Sequence, residues 1–394
     1  MKVTVVLDHK FVCDDRGRVC AHTMFGDTFW QRYLTVFDSV DAVCRVRPAA
    51  TADKLTPIES DRVRFRPVPY YEGPRGFVVN YRAIRRSLMT SLEEAEAVIL
   101  RVPQILPTAA AGVLCKRNRP YGVEVVGDPW DVYAPGAEAN LFRPFFRRYF
   151  YGQLRKICSR AAASCYVTEF ALQKRYPPQP GTLSTHASSV QLEQVVSVPR
   201  SAESFSVAPC RLLFVGALNR LYKGQDVLIK AVGELVNEGL DLTLKIVGDG
   251  QYRGDLESLA AKMNLGDRVK FVGALPFGDP VFSEMDSADL FVLPSRQEGL
   301  ARTVPEAMSR GLPCISSDVG GMSEAVPPEC LVRPGDLPSL KARLREISGS
   351  RETLARLSTQ AITTASRFLR SEIEPRRQRF MREVYQETKQ ARKK

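Results

Sequence analysis

Pro294-Ser-Arg-Gln-Glu298-Gly-Leu-Ala-Arg-Thr-Val-Pro-Glu306-Ala-Met308 is the stretch on which the reading of this chain turns. An apolar run, Leu290 to Leu293, closes at Pro294, a turn holding Gly299 follows, and a helix is expected to start near Thr303 or Val304 with Glu306 in its first turns. A strand that feeds a helix through a short turn is the repeating unit of an open parallel sheet. Such a turn aims unpaired backbone N–H groups at the strand's carboxyl end, where these sheets bind ligands, and a diphosphate fits there without a metal. Seven residues separate Glu298 from Glu306, one acid on the turn and the other within the helix. Carboxylates accept hydrogen bonds from vicinal hydroxyls, so an acid on each side of a diphosphate suits a ribose at one end and a hexose at the other. The plain alternative for Glu306 is an acid at a helix start, where acids are common for electrostatic reasons.

Outward from that stretch, the same grammar repeats. Arg211 to Gly216 is a buried-strand run ending in glycine, and Gln225 to Val236 places Val227, Leu228, Ala231, Val232 and Leu235 on one helical face. Leu242 to Val247 and Val269 to Val272 are further strand runs closed by glycine, so a doubly wound unit is expected from about Cys210 to about Ser366. Its first strand leads into a loop, Gly216-Ala-Leu-Asn-Arg220-Leu-Tyr-Lys223-Gly224. Two cations on a short loop can neutralise charge that grows on a departing diphosphate, in place of a metal ion. Solvated loop cations are the ordinary alternative.

The first half follows the same pattern less clearly. A strand from Val3 to Leu7, a long polar loop from Asp8 to Gly26, a helix around Phe29 to Leu34, and runs near Asp41–Val46, Ala97–Val102 and Tyr121–Val126 alternate with helical segments such as Asn80–Glu93. Strands alternating with helices imply a parallel sheet covered on both faces. The Ser- and Pro-rich stretch Ser197 to Pro209 reads as the linker, and Ser371 to Lys394 as a docked helix with a frayed end.

Composition narrows the class. At 394 residues, 44% hydrophobic and 25% charged, two domains are the natural expectation. Nine scattered cysteines without a C-x-x-C pair, and three histidines, argue against zinc and for reduced, packed thiols. The short apolar start lacks the length of a signal segment, and no run reaches a membrane span, so a cytoplasmic protein is expected, at most peripheral at the inner membrane surface. A net charge of +12 favours an anionic partner: nucleotide phosphate, phospholipid surface or nucleic acid.

Lys223-Gly224, Glu298, Glu306-Ala-Met308, Gly311-Leu-Pro313 and Gly320-Gly321 resemble, position by position, the donor-domain signature of the family-4 retaining glycosyltransferases of GT-B fold, a G-x-L…K-G loop and an E-x7-E motif followed by E-A-M, G-x-P and G-G. Ile246 to Gly250 and Phe271-Val-Gly273 are similar to that family's loops. The likeness covers roughly Leu212 to Ala325 and is weaker in the first half. It implies an α/β protein of two facing Rossmann-like domains with parallel sheets and a cleft between them: an acceptor-binding domain over 1–200, a donor-binding domain over 201–370, and a helix over 371–394 packing back on the first. It further implies a hexosyltransferase that moves a sugar from a UDP- or GDP-sugar to an unidentified acceptor, with retention of configuration, no metal and no other cofactor. By the same resemblance Lys223 and Arg220 contact the donor phosphates, Glu306 the ribose and Glu298 the transferred sugar, while Gly216 and the amides near Leu300, Ala301, Arg302 and Thr303 hold sugar and phosphate oxygens. Many members have arginine where this chain has Ala217 and a second glycine where it has Ala301, so Arg220 and Arg302 carry charge that the family places elsewhere.

For the acceptor side the resemblance offers less. Members often carry a histidine after a mid-domain strand; here that run is Val125-Val-Gly-Asp128-Pro-Trp130-Asp131, and Asp128 is its expected replacement, a structural turn aspartate being the alternative. His9 follows the first strand and borders the expected acceptor or sugar pocket. Trp30, Arg32 and Tyr33 line a helix that is either core or acceptor wall. The segment Phe142 to Lys156 interleaves aromatics with cations and suits a packed helix with snorkelling arginines or a contact with anionic lipid. Partners expected are a nucleotide sugar and a small-molecule or lipid-linked glycan acceptor, with peripheral membrane contact and no nucleic acid. Alternatives are a sugar-nucleotide epimerase or phosphorylase of the same fold, and a basic protein that binds membrane or nucleic acid without catalysis.

Overall fold

The strand runs read from the sequence assemble into two separate sheets, each mainly parallel, in a computed structural model that describes all residues except 22–24, 49–55, 134–142, 191, 277 and 394. Two units divide the chain. The first holds Met1–Gly127, Tyr149–Ala187 and Glu374–Lys394, the second Asp128–Arg148 and Ser188–Ile373.

Strands of the first unit are β1 (Lys2–Cys13), β2 (Val19–Ala21), β3 (Ser39–Pro48), β4 (Thr56–Pro57), β5 (Val63–Val68), β6 (Ala97–Val102), β7 (Gly122–Val125), β8 (Ala163–Tyr166) and β9 (Leu183–His186). The parallel part runs β5-β3-β1-β6-β7-β8-β9, the order of a doubly wound Rossmann sheet, with β2 and β4 added antiparallel. Every residue of β6 and β7 is buried, as expected of strands covered on both faces. Helices α1 (Asp27–Leu34), α2 (Gly73–Val79), α3 (Tyr81–Glu93) and α4 (Ile105–Lys116) form between them. In α3 the buried residues Ile84, Leu88 and Leu92 recur every four positions and present one face to the core.

The polar loop expected from Asp8 to Gly26 is instead, as far as Ala21, a continuation of β1 to Cys13, a tight turn, and the return strand β2, while its residues 22–24 lie outside the described residues. A register shift between Val6 and Lys10 lets β1 resume pairing with β3 beyond the polar residues, and the Asp14 carboxylate closes the turn by accepting from the amides of Arg16 and Arg18.

The second unit has the strand order β12-β11-β10-β13-β14-β15, built from β10 (Cys210–Val215), β11 (Leu242–Val247), β12 (Val269–Gly273), β13 (Leu290–Leu293), β14 (Cys314–Ser317) and β15 (Leu331–Val332), all parallel. Of the helices, α5 (Pro129–Val132) belongs to this unit and α7 (Ala171–Arg175) to the first, while α6 (Arg143–Cys158) spans the boundary at Arg148. The later ones are α8 (Gln225–Asn237), α9 (Arg253–Lys262), α10 (Asp279–Ser287), α11 (Thr303–Ser309), α12 (Leu337–Ser348) and α13 (Arg351–Ala365), while α14 (Arg370–Ala391) passes into the first unit at Glu374. The expected face of α8 is buried: Val227, Leu228, Ala231, Val232 and Leu235.

The Ser- and Pro-rich stretch ahead of β10 is held within this unit. Phe205 is buried, and the Arg200 guanidinium donates to the carbonyls of Met285, Ala288 and Arg310 at 2.5–3.1 Å while the Arg200 amide donates to Ser358 Oγ. In the first unit α14 buries Phe380, Met381 and Val384, and the absence of a side chain at Gly122 on β7 leaves room for Val384 and Phe380. No helix of the described residues is long and apolar enough to cross a membrane.

Candidate functional site

The loop after β10 is held by contacts with β13 and α8. Gly224, at φ +78°, starts α8 so close to β13 that a Cβ there would lie 2.1 Å from the Pro294 carbonyl oxygen. Arg296, just beyond Pro294, clamps the loop: its guanidinium donates to the Leu221 carbonyl at 2.6 Å and forks onto both oxygens of Asp226 at 2.9 and 2.8 Å. The fully buried Gln225 adds Nε2 bonds to the carbonyls of Ala217 and Arg220 at 3.1 and 3.3 Å. A single 3-10 turn, Leu221–Lys223, then brings Lys223 over Gly216, where a Cβ would come within 2.7 Å of the lysine stem.

Lys223 Nζ meets Glu298 Oε1 at 3.0 Å, with the two side chains 14% and 12% exposed, and Ser295 Oγ donates to the same carboxylate oxygen at 3.0 Å. Burial is the largest single influence on Lys223 and opposes its charge; the Glu298 carboxylate, with Tyr222, outweighs it, so the ammonium is raised above the ordinary lysine range. A cation thus stands beside an acid, both largely screened from solvent.

On the other side of that pair, Leu300 and Ala301 are buried and α11 begins at Thr303 with Arg302 as its helical N-cap. The Ala301 amide donates to Met322 Sδ at 3.4 Å, whereas the amides of Leu300, Arg302 and Thr303 have no hydrogen-bond acceptor among the described residues. Glu306 is 6% exposed, and none of the described residues donates to its carboxylate. Burial pushes its pKa up, partly offset by the Arg302 charge. Gly320 at φ +56° abuts the turn so tightly that a Cβ would sit 2.1 Å from the Glu298 carbonyl oxygen, and the Gly321 amide donates to the Gly299 carbonyl at 2.6 Å.

Sequence reasoning did not foresee several members of this arrangement. Arg296 and Asp226 lie 70 residues apart, and nothing local marks them as a pair. Asp131 Oδ2 accepts from the Gly320 amide at 3.0 Å, so within the second unit α5 touches the Gly-Gly turn through Asp131. Its neighbour Asp128 caps α5, accepting from the Trp130 amide at 2.8 Å. Arg220 stands exposed on the same loop as Lys223. In the first unit His9 lies on β1 with its ring 4.7 Å from Phe11 and 4.1 Å from Phe25, while Trp30 and Tyr33 are fully buried and belong to the core. Phe142, the start of the aromatic–basic segment, lies outside the described residues; within α6, Leu154, Ile157 and Cys158 are buried, and Phe145 and Tyr149 are 64% and 47% exposed. No cluster of His, Cys, Asp or Glu suited to a metal ion occurs among the described residues.

Comparison with known proteins gives this geometry a family. The family described as Glycosyl transferases group 1 matches residues 209–349, the span that holds both loops. Protein CapJ of Staphylococcus aureus is 30% identical over 317 residues, covering 80% of this chain and 79% of that protein. The GDP-mannose-dependent monoacylated alpha-(1-6)-phosphatidylinositol monomannoside mannosyltransferase of Corynebacterium glutamicum is 30% identical over 215 residues, 49% of this chain and 55% of that enzyme. In fold, the chain is similar to the sucrose-phosphate synthase of Thermosynechococcus elongatus, with a TM-score of 0.69 at 17% identity over 98% of this chain and 99% of the other.

Proposed function

This chain belongs to the group 1 glycosyl transferases of GT-B fold, which use nucleotide-sugar donors, and from that premise we propose that it is a family-4 enzyme moving a hexose from a UDP- or GDP-sugar to a small-molecule or lipid-linked glycan, with retention and without a metal. The observation that carries this reading is Glu306: a buried carboxylate with no donor from the described residues, in the first turn of the helix that follows an acid itself paired with a buried lysine. A buried ionised group without hydrogen bonds is costly, and vicinal ribose hydroxyls supply two.

In this reading Lys223 and Arg220 neutralise the diphosphate, the amides of Leu300, Arg302 and Thr303 hold its oxygens and those of the sugar, and Glu298 accepts from the hexose hydroxyls. Gly216 keeps the Lys223 stem low against the loop. As the bond between the anomeric carbon and the diphosphate breaks, negative charge moves onto the leaving oxygen, and the fixed Lys223 cation stabilises that state without reorganisation. The acceptor oxygen bonds to the same face of the anomeric carbon, and its proton passes to the leaving phosphate. Asp128 and His9 remain assigned to acceptor or sugar contact in this reading, and Asp131 positions the Gly-Gly turn. The reading also includes a cytoplasmic enzyme with peripheral contact at the inner membrane surface, supported by the exposed Phe145 and Tyr149 of α6.

Thermal-shift measurement with UDP, GDP and other nucleoside diphosphates, followed by mass spectrometry of donor and acceptor mixtures, tests the proposal. Saturation at about 100 times Kd adds roughly 2.7 kcal/mol. A shift from UDP or GDP that Glu306→Ala abolishes is expected; no shift from any nucleoside diphosphate would overturn the site. Conversion of the donor without an acceptor would mark an epimerase instead.

A further inference from the structure

In the first unit, α2 ends and α3 begins with exposed apolar side chains, of which Tyr81 sets its ring against Phe77 at 5.8 Å. Val78 and Val79 are 71% and 76% exposed and Tyr81 46%, three large apolar groups within four residues. Buried Ile84 and Leu88 show that the opposite face of α3 serves the core, so the exposed residues are not its packing face. Scattered exposed apolar residues are common; a contiguous, protruding cluster marks a contact surface.

Cations surround this tip. Arg82, Arg85 and Arg86 are exposed at one-turn spacing along α3, Arg75 is exposed on α2, and Lys116 is exposed at the end of α4. None of the five has an ion-pair partner among the described residues, because the nearby acids are engaged elsewhere: Glu72 with Lys10, Glu93 with Arg117 and Glu94 with Arg66. Between α3 and α4 a cavity of about 240 Å³ opens, with Phe77, Ile84, Leu88, Met89, Ala109 and Val113 on its walls and Arg85 and Lys116 also lining it.

We propose that the α2–α3 face of the first unit docks on an anionic lipid bilayer, Val78, Val79 and Tyr81 entering the headgroup boundary and the surrounding cations resting on the phosphates. Charge complementarity favours this occupant: uncompensated positive charge ringing a protruding aliphatic tip fits a surface that is negative outside and apolar just beneath. Nucleic acid would use the cations but leave the valines in water. A second copy of the chain would bring the same cations face to face. The inference does not rest on the transferase reading, since neither the donor loop nor Glu306 takes part in it.

Co-sedimentation of the full chain with vesicles tests it, comparing phosphatidylcholine alone with phosphatidylcholine carrying about one phosphatidylglycerol in three, at low and high salt. Partition into the anionic vesicles alone, falling with salt, is expected. Each basic residue near such a surface is worth about fivefold, so Arg82→Gln, Arg85→Gln and Arg86→Gln combined should lower partition roughly a hundredfold. Val78→Ser with Val79→Ser should lower it about tenfold while keeping the salt dependence. All five positions are exposed, so unchanged melting and an unchanged shift with nucleoside diphosphate confirm folding and keep the donor site out of the result. Failure to bind anionic vesicles, equal binding to neutral ones, variants that bind like the wild type, or valine-dependent self-association in sedimentation velocity would each overturn the proposal.

Discussion

Replacing Lys223 by methionine separates what the Lys223–Glu298 pair does for the fold from the role proposed for the lysine at the donor phosphates. At 3.0 Å the attraction is about 5 kcal/mol at an effective dielectric of about 20, and desolvation of both groups cancels part of it. Removing one partner of a buried pair costs about 3–5 kcal/mol, and because both side chains keep some exposure the lower end applies. At roughly 2–4 °C per kcal/mol for a unit of this size, Lys223→Met should lower Tm by about 6–12 °C. Removing a fixed donor from a developing anion costs about a hundred- to a thousandfold in kcat, so turnover should fall by that much as well. Glu298→Gln placed on top of Lys223→Met removes the stranded carboxylate, and Ser295 Oγ can still donate to the amide oxygen, so most of the lost Tm should return. Activity should not return. Denaturation monitored by circular dichroism and steady-state transfer kinetics on the same preparations decide the matter. If the double variant regains turnover along with stability, or Lys223→Met keeps turnover within about threefold, the lysine is a structural ion-pair partner and the assignment to the phosphates is wrong.

Glu306 gives a prediction of opposite sign. Its pKa is raised by burial, so ionisation penalises the folded form; the penalty is full above the folded-state pKa and absent below the unfolded-state one. Glu306→Gln should therefore raise Tm at neutral pH while weakening nucleoside diphosphate binding, and should flatten the acid limb of the wild-type binding curve, which begins above the range of an ordinary glutamate; calorimetric titration across pH checks both. Gly320→Ala must move the Glu298 carbonyl and leave φ +56°, at a cost of about 2–3 kcal/mol, read as lost stability and weaker nucleotide affinity together. Asp131→Ala removes the acceptor of the Gly320 amide and should cost about 1–2 kcal/mol in kcat/KM through a looser turn, with Asp131→Asn recovering part of it. EDTA should leave transfer rates unchanged, and a loss restored by a divalent cation would sink the metal-free reading.

Where the chain is a run of fully buried strand or a one-faced helix, the amino-acid pattern was enough: β6, β11 and β13 span the apolar runs read for them, and α8 buries the face its period predicts. β1 was harder because Asp8, His9 and Lys10 interrupt it with polar side chains, and only pairing with β3 beyond a register shift makes them strand. Around the site, the spacing of Glu298 and Glu306 is local and therefore legible. The partners that orient them are not: Lys223 reaches Glu298 across 75 residues, and Asp131 reaches Gly320 across 189, distances over which a single sequence carries no pairing signal. The exposed valines of α2 were equally silent, since an apolar residue in a helix reads as core until the structure shows which way it faces.

Arg200 stitches three carbonyls at the ends of α10 and α11 to the segment that enters the second unit, and its own amide is tied to α13. Anyone expressing the second sheet and its helices alone would be tempted to begin at the first apolar strand, near Cys210. A fragment cut there forfeits this clasp and leaves the Asp289 side chain without the Ser206 amide it accepts from. Beginning at Ser188 or earlier preserves both, and a difference in melting temperature between the two truncations would measure how far the helix that carries Glu306 depends on a residue that lies outside the sheet altogether.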